Sequence, residues 1–234
     1  MSFSRTVALV VGATAVVASG VAIGAVQTPT LSSGSAVKKD FGALPKMAEG
    51  PNGATEPLFR GDMLPDLGLG CSNGTGTTGG PNDWATKVTS TLTPPYGIAS
   101  TTYNIFTFNS GTTWNLMVWN NGATPGTVVG QFNLGQANGT VGNHTVPLVP
   151  GNLTIPLAAG TTWFFGLSQG ANTNGVRIGM DNSGSVPATV YIRAPGCGLA
   201  AFGTVESIGF PGFWVHRIIV DQGFPVELMD YSVS

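Results

Sequence analysis

The chain has 234 residues, of which 42% are hydrophobic and 9% are charged, and its net charge is −2. A typical soluble domain has roughly 25% charged residues, and the few Lys and Arg residues of this chain are scattered. Nucleic-acid binding requires clustered basic residues, so the composition excludes nucleic acid as a partner. The length allows one domain with a full core, and the weakly charged surface suits self-association into an extracellular assembly.

The N-terminal segment predicts export. Arg5 precedes an uncharged, apolar run from Val7 to Val26, which ends in small residues. This pattern is typical of a signal peptide over residues 1–26. The alternative is an uncleaved membrane anchor, because about 20 apolar residues can span a bilayer. Either interpretation sends the chain out of the cytoplasm, to a secreted or cell-surface location.

Residues 27–70 are rich in Pro, Gly, Ser and Thr and show no sustained period of 2 or 3.6. This composition predicts an extended linker without a packed face. The alternative is that part of the segment pairs as a strand with a neighbouring subunit.

From Cys71 to the end of the chain, short apolar or alternating runs are separated by Gly, Pro and Asn at intervals of about eight to twelve residues, the spacing of a β-sandwich. Residues 71–234 are therefore predicted to form an all-β, antiparallel sandwich domain. The clearest hairpin is Trp114–Gln131, whose arms flank an Asn-Asn-Gly turn. Residues 82–87 carry a capping residue and predict one turn of helix. The predicted strands are Thr102–Asn109, Thr113–Asn120, Thr127–Asn133, His144–Leu148, Leu153–Leu157, Thr162–Ser168, Gly175–Met180, Ala188–Ala194, Phe213–Val220 and Val226–Val233.

The two cysteines, Cys71 and Cys197, nearly bracket this region. Because an exported chain meets an oxidising compartment, they predict one disulfide. A metal site is not predicted, because there is no Cys-x-x-Cys pair and the two histidines have no ligand-like spacing. The run Gly74–Gly79 matches a dinucleotide fingerprint only by its letters, since no βαβ unit surrounds it, and no cofactor is predicted.

No catalytic constellation is convincing. Gly166–Gly170 matches the nucleophile-elbow pattern around Ser168, but strand follows instead of the helix that this motif requires. The scattered carboxylates could serve a glycoside hydrolase only if two of them faced one cleft. They are Asp83, Asp181, Glu206, Asp221, Glu227 and Asp230. The simpler interpretation is that these residues form turn caps and local ion pairs. For Asp181, a turn is likewise a simpler interpretation than calcium binding.

The aromatic residues are the remaining candidates for ligand binding, because a sugar can stack on an exposed ring. Trp114, Trp163 and Trp214 lie within apolar strands and are predicted to be core residues. Trp84 and Trp119 lie nearer turns and are predicted to be exposed ligand-binding residues.

Three stretches resemble a known class of domain: Trp114–Gln131, Ala159–Leu167 with Gly179–Asp181, and Phe213–Val220. They are similar to the β-sandwich, jelly-roll-like domains of large bacterial secreted and surface proteins, which come attached to varied anchoring or sorting signals. The tail Pro225–Val233 resembles the segment that leads into such a signal. The resemblance implies a jelly-roll-like fold and an extracellular setting.

The sequence therefore favours a secreted, non-enzymatic β-sandwich with a structural or adhesive role at a cell surface or in an extracellular assembly. The first alternative is a carbohydrate- or matrix-binding module, and the second is a hydrolase. A solvent-exposed, coplanar pair of aromatic rings on one sheet face would favour carbohydrate binding over a purely structural role.

Overall fold

The computed structural model describes residues 30–35, 54–72, 81–94, 96–107, 113–136, 141–148, 154–155, 159–170 and 176–222. These residues form two antiparallel sheets that face each other as a β-sandwich, which confirms the predicted fold class. The predicted signal peptide, the Gly74–Gly79 run and the predicted strand Val226–Val233 lie outside the described residues. In the part that is described, no helix has the length and apolar character of a membrane span.

The first sheet contains β1 (Thr30–Ser35), β2 (Thr55–Leu58), β3 (Leu67–Ser72), β5 (Tyr96–Thr107), β8 (Gly142–Pro147), β9 (Thr154–Ile155), β11 (Arg177–Asp181), β14 (Phe213–Trp214) and β15 (His216–Asp221). Its main path is β1-β3-β11-β5-β15-β2, with β8 and β9 beside β5 and β14 beside β11. β2 pairs with β15 and ends the path, which places it at an edge.

The second sheet contains β4 (Asn82–Thr89), β6 (Thr113–Trp119), β7 (Val128–Gln136), β10 (Thr162–Gln169), β12 (Val190–Ala194) and β13 (Leu199–Thr204). Their order is β13-β12-β4-β10-β6-β7. Short 3-10 helices at Pro195–Cys197 and Glu206–Ile208 flank β13. The predicted hairpin is confirmed as β6 and β7, and the Asn120 side chain accepts a hydrogen bond from the Thr127 amide across its turn (2.8 Å).

All predicted strands between Thr102 and Val220 overlap a strand of the structure. Two predictions are wrong. Residues 82–87 belong to β4, a central strand whose residues are nearly all buried, and do not form a helical turn. The predicted linker contains β1, β2 and most of β3, which pair within the first sheet, so the sandwich begins before residue 71. Backbone pairing at a sheet edge tolerates Pro57 and glycine residues that argue against a central strand.

The core lies between the sheets, and it includes Trp114, Trp163 and Trp214, as predicted. A smaller apolar cluster lies on the other face of the second sheet. Phe164 alternates along β10 with the interior residues Trp163 and Phe165, so its ring points away from the core. It joins Trp119 in this outer cluster, which is packed under Phe202 of β13. Both faces of the central strands are therefore buried.

Candidate functional site

Cys71 and Cys197 form a disulfide, with Cα atoms 5.9 Å apart, as the sequence predicts. The predicted exposure of the two tryptophans is wrong. Trp84 is 1% exposed, stacks beside Trp114 in the core and donates its indole N–H to the Leu69 carbonyl oxygen (3.1 Å). Trp119 is 2% exposed because Phe202 covers it edge-on at 5.5 Å. Neither ring can stack on a ligand in solvent.

The residues of the nucleophile-elbow match lie in a different geometry. Ser168 is within the regular strand β10 and pairs with β4 and β6, so these residues lack the sharp strand-to-helix turn. His216 belongs to the first sheet and lies in the core, where its Nε2 is hydrogen-bonded to Thr101 Oγ1 (2.8 Å). Burial lowers the pKa of His216 to about 3. The imidazole is therefore a neutral core group at ordinary pH.

Two of the candidate carboxylates, Asp83 and Asp181, make contacts within the fold. Asp83 forms an ion pair with Arg193 across β4 and β12 (2.7 Å). Asp181 accepts hydrogen bonds from the backbone amides of Asp62 and Ser183, both at 2.8 Å. Glu227 and Asp230 lie outside the described residues. Within the described part of the chain, no group of three or more His, Cys, Asp or Glu residues is placed to hold a metal ion.

A groove opens where the end of edge strand β2 meets β4 of the other sheet. Its volume is about 160 Å³. We name it the β2–β4 groove, and its lining residues are Pro57, Leu58, Phe59, Arg60, Val88 and Thr89. It is a small concave site shared by the two sheets, the kind of position where ligand sites occur.

The lining of the groove is mixed, and most of its accessible surface is polar. Leu58 and Val88 are buried and belong to the same core cluster. Phe59 has 40% of its surface exposed. An exposed ring offers a flat surface for a ligand with C–H groups.

Arg60 supplies the charge of the groove. Its Nη2 donates a hydrogen bond to the Lys87 carbonyl oxygen (3.3 Å), which fixes the guanidinium against β4. Its Nε is buried and has no hydrogen-bond partner. No ion pair to Arg60 exists among the described residues. The side chain thus keeps donor capacity for another acceptor.

The turn after Arg60 is fixed by Asp181. Gly61 adopts a φ of +72°, and a Cβ at this position would lie 2.2 Å from Asp181 Oδ2. The same oxygen accepts the Asp62 amide. Only glycine allows this close approach without strain. Asp181 is therefore a positioning residue for the loop that carries Phe59 and Arg60.

Thr89 adds a hydroxyl to the lining of the groove. Its Oγ1 lies 3.1 Å from Thr162 Oγ1 across β4 and β10. A hydroxyl can both donate and accept a hydrogen bond. The groove therefore combines an exposed ring, a guanidinium and a hydroxyl.

Sequence reasoning missed this site, because Phe59 and Arg60 fall within the predicted linker. The available signal was weak: an aromatic residue and a cation immediately before a glycine, in a stretch otherwise rich in Pro and Gly. The site depends on a tertiary contact, because Arg60 lies after β2 and bonds Lys87 of β4 in the other sheet.

Comparisons with models of known families and with curated proteins give no match. Among solved structures, the chain is similar to the cysteine protease and lectin-like domains of Cwp84, a surface layer associated protein of Clostridium difficile. The TM-score is 0.50 at 9% identity, and the match covers 74% of this chain and 37% of that chain. The similarity shows the fold, and at that level it supports the predicted resemblance to bacterial surface β-sandwich domains.

Proposed function

We propose that this chain is a secreted, non-enzymatic β-sandwich with an adhesive role at a cell surface, where it binds carbohydrate through the β2–β4 groove. The observation that carries the proposal is the exposed ring of Phe59 in a groove that also contains the Arg60 guanidinium and the Thr89 hydroxyl. A sugar ring presents C–H groups on its faces and hydroxyls on its edge, which suits an aromatic ring flanked by polar groups.

The comparison supports an adhesive role, because the similar structure includes a lectin-like domain of a surface layer associated protein. The Cys71–Cys197 disulfide supports an extracellular location, because disulfides persist in oxidising compartments. The predicted signal peptide over residues 1–26 supports it independently.

A non-enzymatic role is supported by the positions of the reactive side chains. Both cysteines are bonded to each other, and Ser168 lies inside a paired strand. His216 is buried and hydrogen-bonded to Thr101. Each of these groups contributes to the sandwich, which leaves the groove as a binding surface.

The test is binding of the full chain to a panel of immobilised neutral and acidic polysaccharides, with the Phe59→Ala variant beside the wild type. Leu64→Ala is the matched control, because Leu64 is 48% exposed in the same loop but does not line the groove. We expect retention of the wild type and of Leu64→Ala, and a loss of about tenfold or more for Phe59→Ala, since stacked aromatic contacts are worth up to about 1.5 kcal/mol beyond the buried area. Failure of every polysaccharide to retain the wild type, or equal retention of all three proteins, would contradict the proposal.

A second candidate is a structural role in an assembly of identical chains. β7 lies at the end of the second sheet, pairs with β6 among the described strands, and exposes Val128 and Val129. An open, apolar edge strand is a template for pairing with another chain. Electron microscopy of the secreted protein would show filaments or sheets that Val129→Lys abolishes. Dispersed particles in the wild type would exclude this role.

A further inference from the structure

We infer that the ligand of the β2–β4 groove is a saccharide unit that bears a carboxylate, and that Arg60 binds this carboxylate. The inference rests on the proposed carbohydrate binding and adds the chemical class of the sugar. It follows from the charge of the groove, whose lining contains one guanidinium and no carboxylate.

One hydrogen bond holds the Arg60 side chain in place, and its charge is not paired within the described residues. Its Nη2 is anchored on the Lys87 carbonyl oxygen, while its buried Nε has no hydrogen-bond partner. Guanidinium donors form a rigid fork that matches the two oxygens of a carboxylate. Because Nε is buried, a carboxylate in the groove would bind the terminal nitrogens of this half-buried side chain and compensate its charge. A neutral hydroxyl would accept a hydrogen bond but leave the charge uncompensated.

The neighbouring acidic residues of the chain do not supply this carboxylate. Glu56, on β2, uses Oε2 to accept hydrogen bonds from Ser90 Oγ (2.8 Å) and the Thr91 amide (2.9 Å). Asp62 uses Oδ1 to accept the Leu64 amide (2.8 Å). Neither residue lines the groove. The lining thus has a positive group and no negative one, which favours an anionic ligand.

Three features favour a saccharide over an acidic peptide. The volume of about 160 Å³ is small and open, which suits a single ring. The exposed face of Phe59 offers that ring a stacking surface. The Thr89 hydroxyl lines the groove and can donate to or accept from a sugar hydroxyl.

The experiment is isothermal titration of the full chain with three probes: an oligogalacturonate, its methyl ester and an oligoglutamate. The ester keeps the sugar ring and removes the charge, so it isolates the role of the carboxylate. We expect the oligogalacturonate to bind about tenfold or more tightly than the ester, as a charge-assisted hydrogen-bonded pair would give. We also expect its affinity to fall with salt.

Variants of Arg60 sharpen the result. Arg60→Gln should bind acid and ester equally, and Arg60→Lys should recover only part of the preference, because a lysine lacks the fork. Unchanged circular dichroism and unfolding midpoints would show that both variants fold, and the ester comparison on the wild type does not depend on them.

Equal binding of acid and ester by the wild type would overturn the inference while leaving carbohydrate binding intact. Tighter binding of oligoglutamate would replace the saccharide with an acidic peptide. If neither saccharide bound while the polysaccharide panel still retained the chain, the inference alone would fail.

Discussion

Two aromatic residues, Trp84 in the core and Phe59 on the β2–β4 groove, show how differently the two regions of this sandwich are built. Trp84 is 1% exposed, packs beside Trp114, and has its indole N–H bonded to Leu69. Phe59 is 40% exposed and lines the groove beside Arg60. The first ring contributes to stability through burial, whereas the second gains burial only when something binds.

Polar side chains show the same contrast. Asn82 is fully buried, and its amide accepts the Cys71 amide hydrogen (3.2 Å) and donates to Gln169 Oε1 (2.9 Å). Arg60 has one bonded nitrogen and one buried nitrogen without a partner. Unpaired buried atoms also occur in the core, at Trp114 Nε1 and Thr86 Oγ1, so the contrast lies in the charge that Arg60 brings to an open groove. Changes beside the disulfide should therefore act on stability, and changes at the groove should act on ligand binding.

The largest expected effect is loss of the Cys71–Cys197 disulfide. The two residues are 126 positions apart, and closing such a loop restricts the unfolded chain. In the chain-entropy model the double variant Cys71→Ser/Cys197→Ser should lose roughly 4–5 kcal/mol of unfolding free energy. Denaturant unfolding of the full chain measures this loss.

Reduction of the wild type is the matched control for the disulfide prediction. It should lower stability by a similar amount, because it breaks the same bond without changing either residue. A variant as stable as the oxidised wild type would show that the bond contributes little.

Trp84→Ala should follow, with a loss of about 3–5 kcal/mol, as is typical when a large buried ring is removed. The variant also leaves the Leu69 carbonyl oxygen without the indole donor. Chemical unfolding measures the effect, and Trp84→Phe, which keeps part of the packing, should lose less. If the Trp84→Ala variant still binds carbohydrate below its unfolding transition, the core around Trp84 acts on stability and not on binding. A variant that loses binding but keeps its stability would contradict the difference between core and groove.

The sequence predicted the core region much better than the groove. Alternating apolar residues and turn residues define β6 and β7 locally, and the disulfide follows from the presence of two cysteines in an exported chain. β4 was mistaken for a helical turn because Asn82 and Asp83 resemble a helix cap. In the fold, Asn82 instead bonds Gln169, and Asp83 pairs with Arg193, contacts that bring together residues far apart in the sequence.

Exposure was the harder property to predict. Trp119 lies near a turn, but β13 brings Phe202 over it from a distant part of the chain. Phe59 lies in a Pro- and Gly-rich stretch that has no local periodicity, and its position depends on the pairing of β2 with β15. Single-sequence patterns report local backbone preference, whereas the cover over a ring depends on tertiary contacts.

The third prediction concerns His216 and pH. Burial lowers its pKa to about 3 in the folded state, against 6.5 for a free histidine. Between these values the unfolded state binds the extra proton, so stability should fall as pH drops from about 6.5 toward 3, by up to about 1.4 kcal/mol per pH unit. Unfolding free energies across this range measure the slope. His216→Gln should flatten it, while His144→Gln, the matched change on β8, should keep it. An unchanged slope in His216→Gln would assign the pH dependence to other groups.

Gly61→Ala should have a smaller effect on stability and a clear effect on binding. The added Cβ meets Asp181 Oδ2, and the positive φ disfavours alanine, so we expect a loss of about 1–2 kcal/mol. Because the turn positions Phe59 and Arg60, saccharide affinity should fall as well. Gly160→Ala is the matched control, since Gly160 also has a positive φ (+73°) but has open space around its Cβ. Similar stability losses with unchanged affinity in both variants would show that the Gly61 turn does not position the groove.

The smallest expected effect on stability is that of Phe59→Ala, and it is the most direct test of the contrast between the two rings. Because Phe59 is 40% exposed, its removal should change the unfolding free energy by less than about 1 kcal/mol, well below the cost of Trp84→Ala. Parallel measurements of unfolding and of saccharide binding on the same preparation decide the point. A variant that binds poorly but unfolds like the wild type would assign Phe59 to the ligand. A variant that loses several kcal/mol and binds normally when folded would make Phe59 part of the structural core, and the groove would then lose its stacking surface.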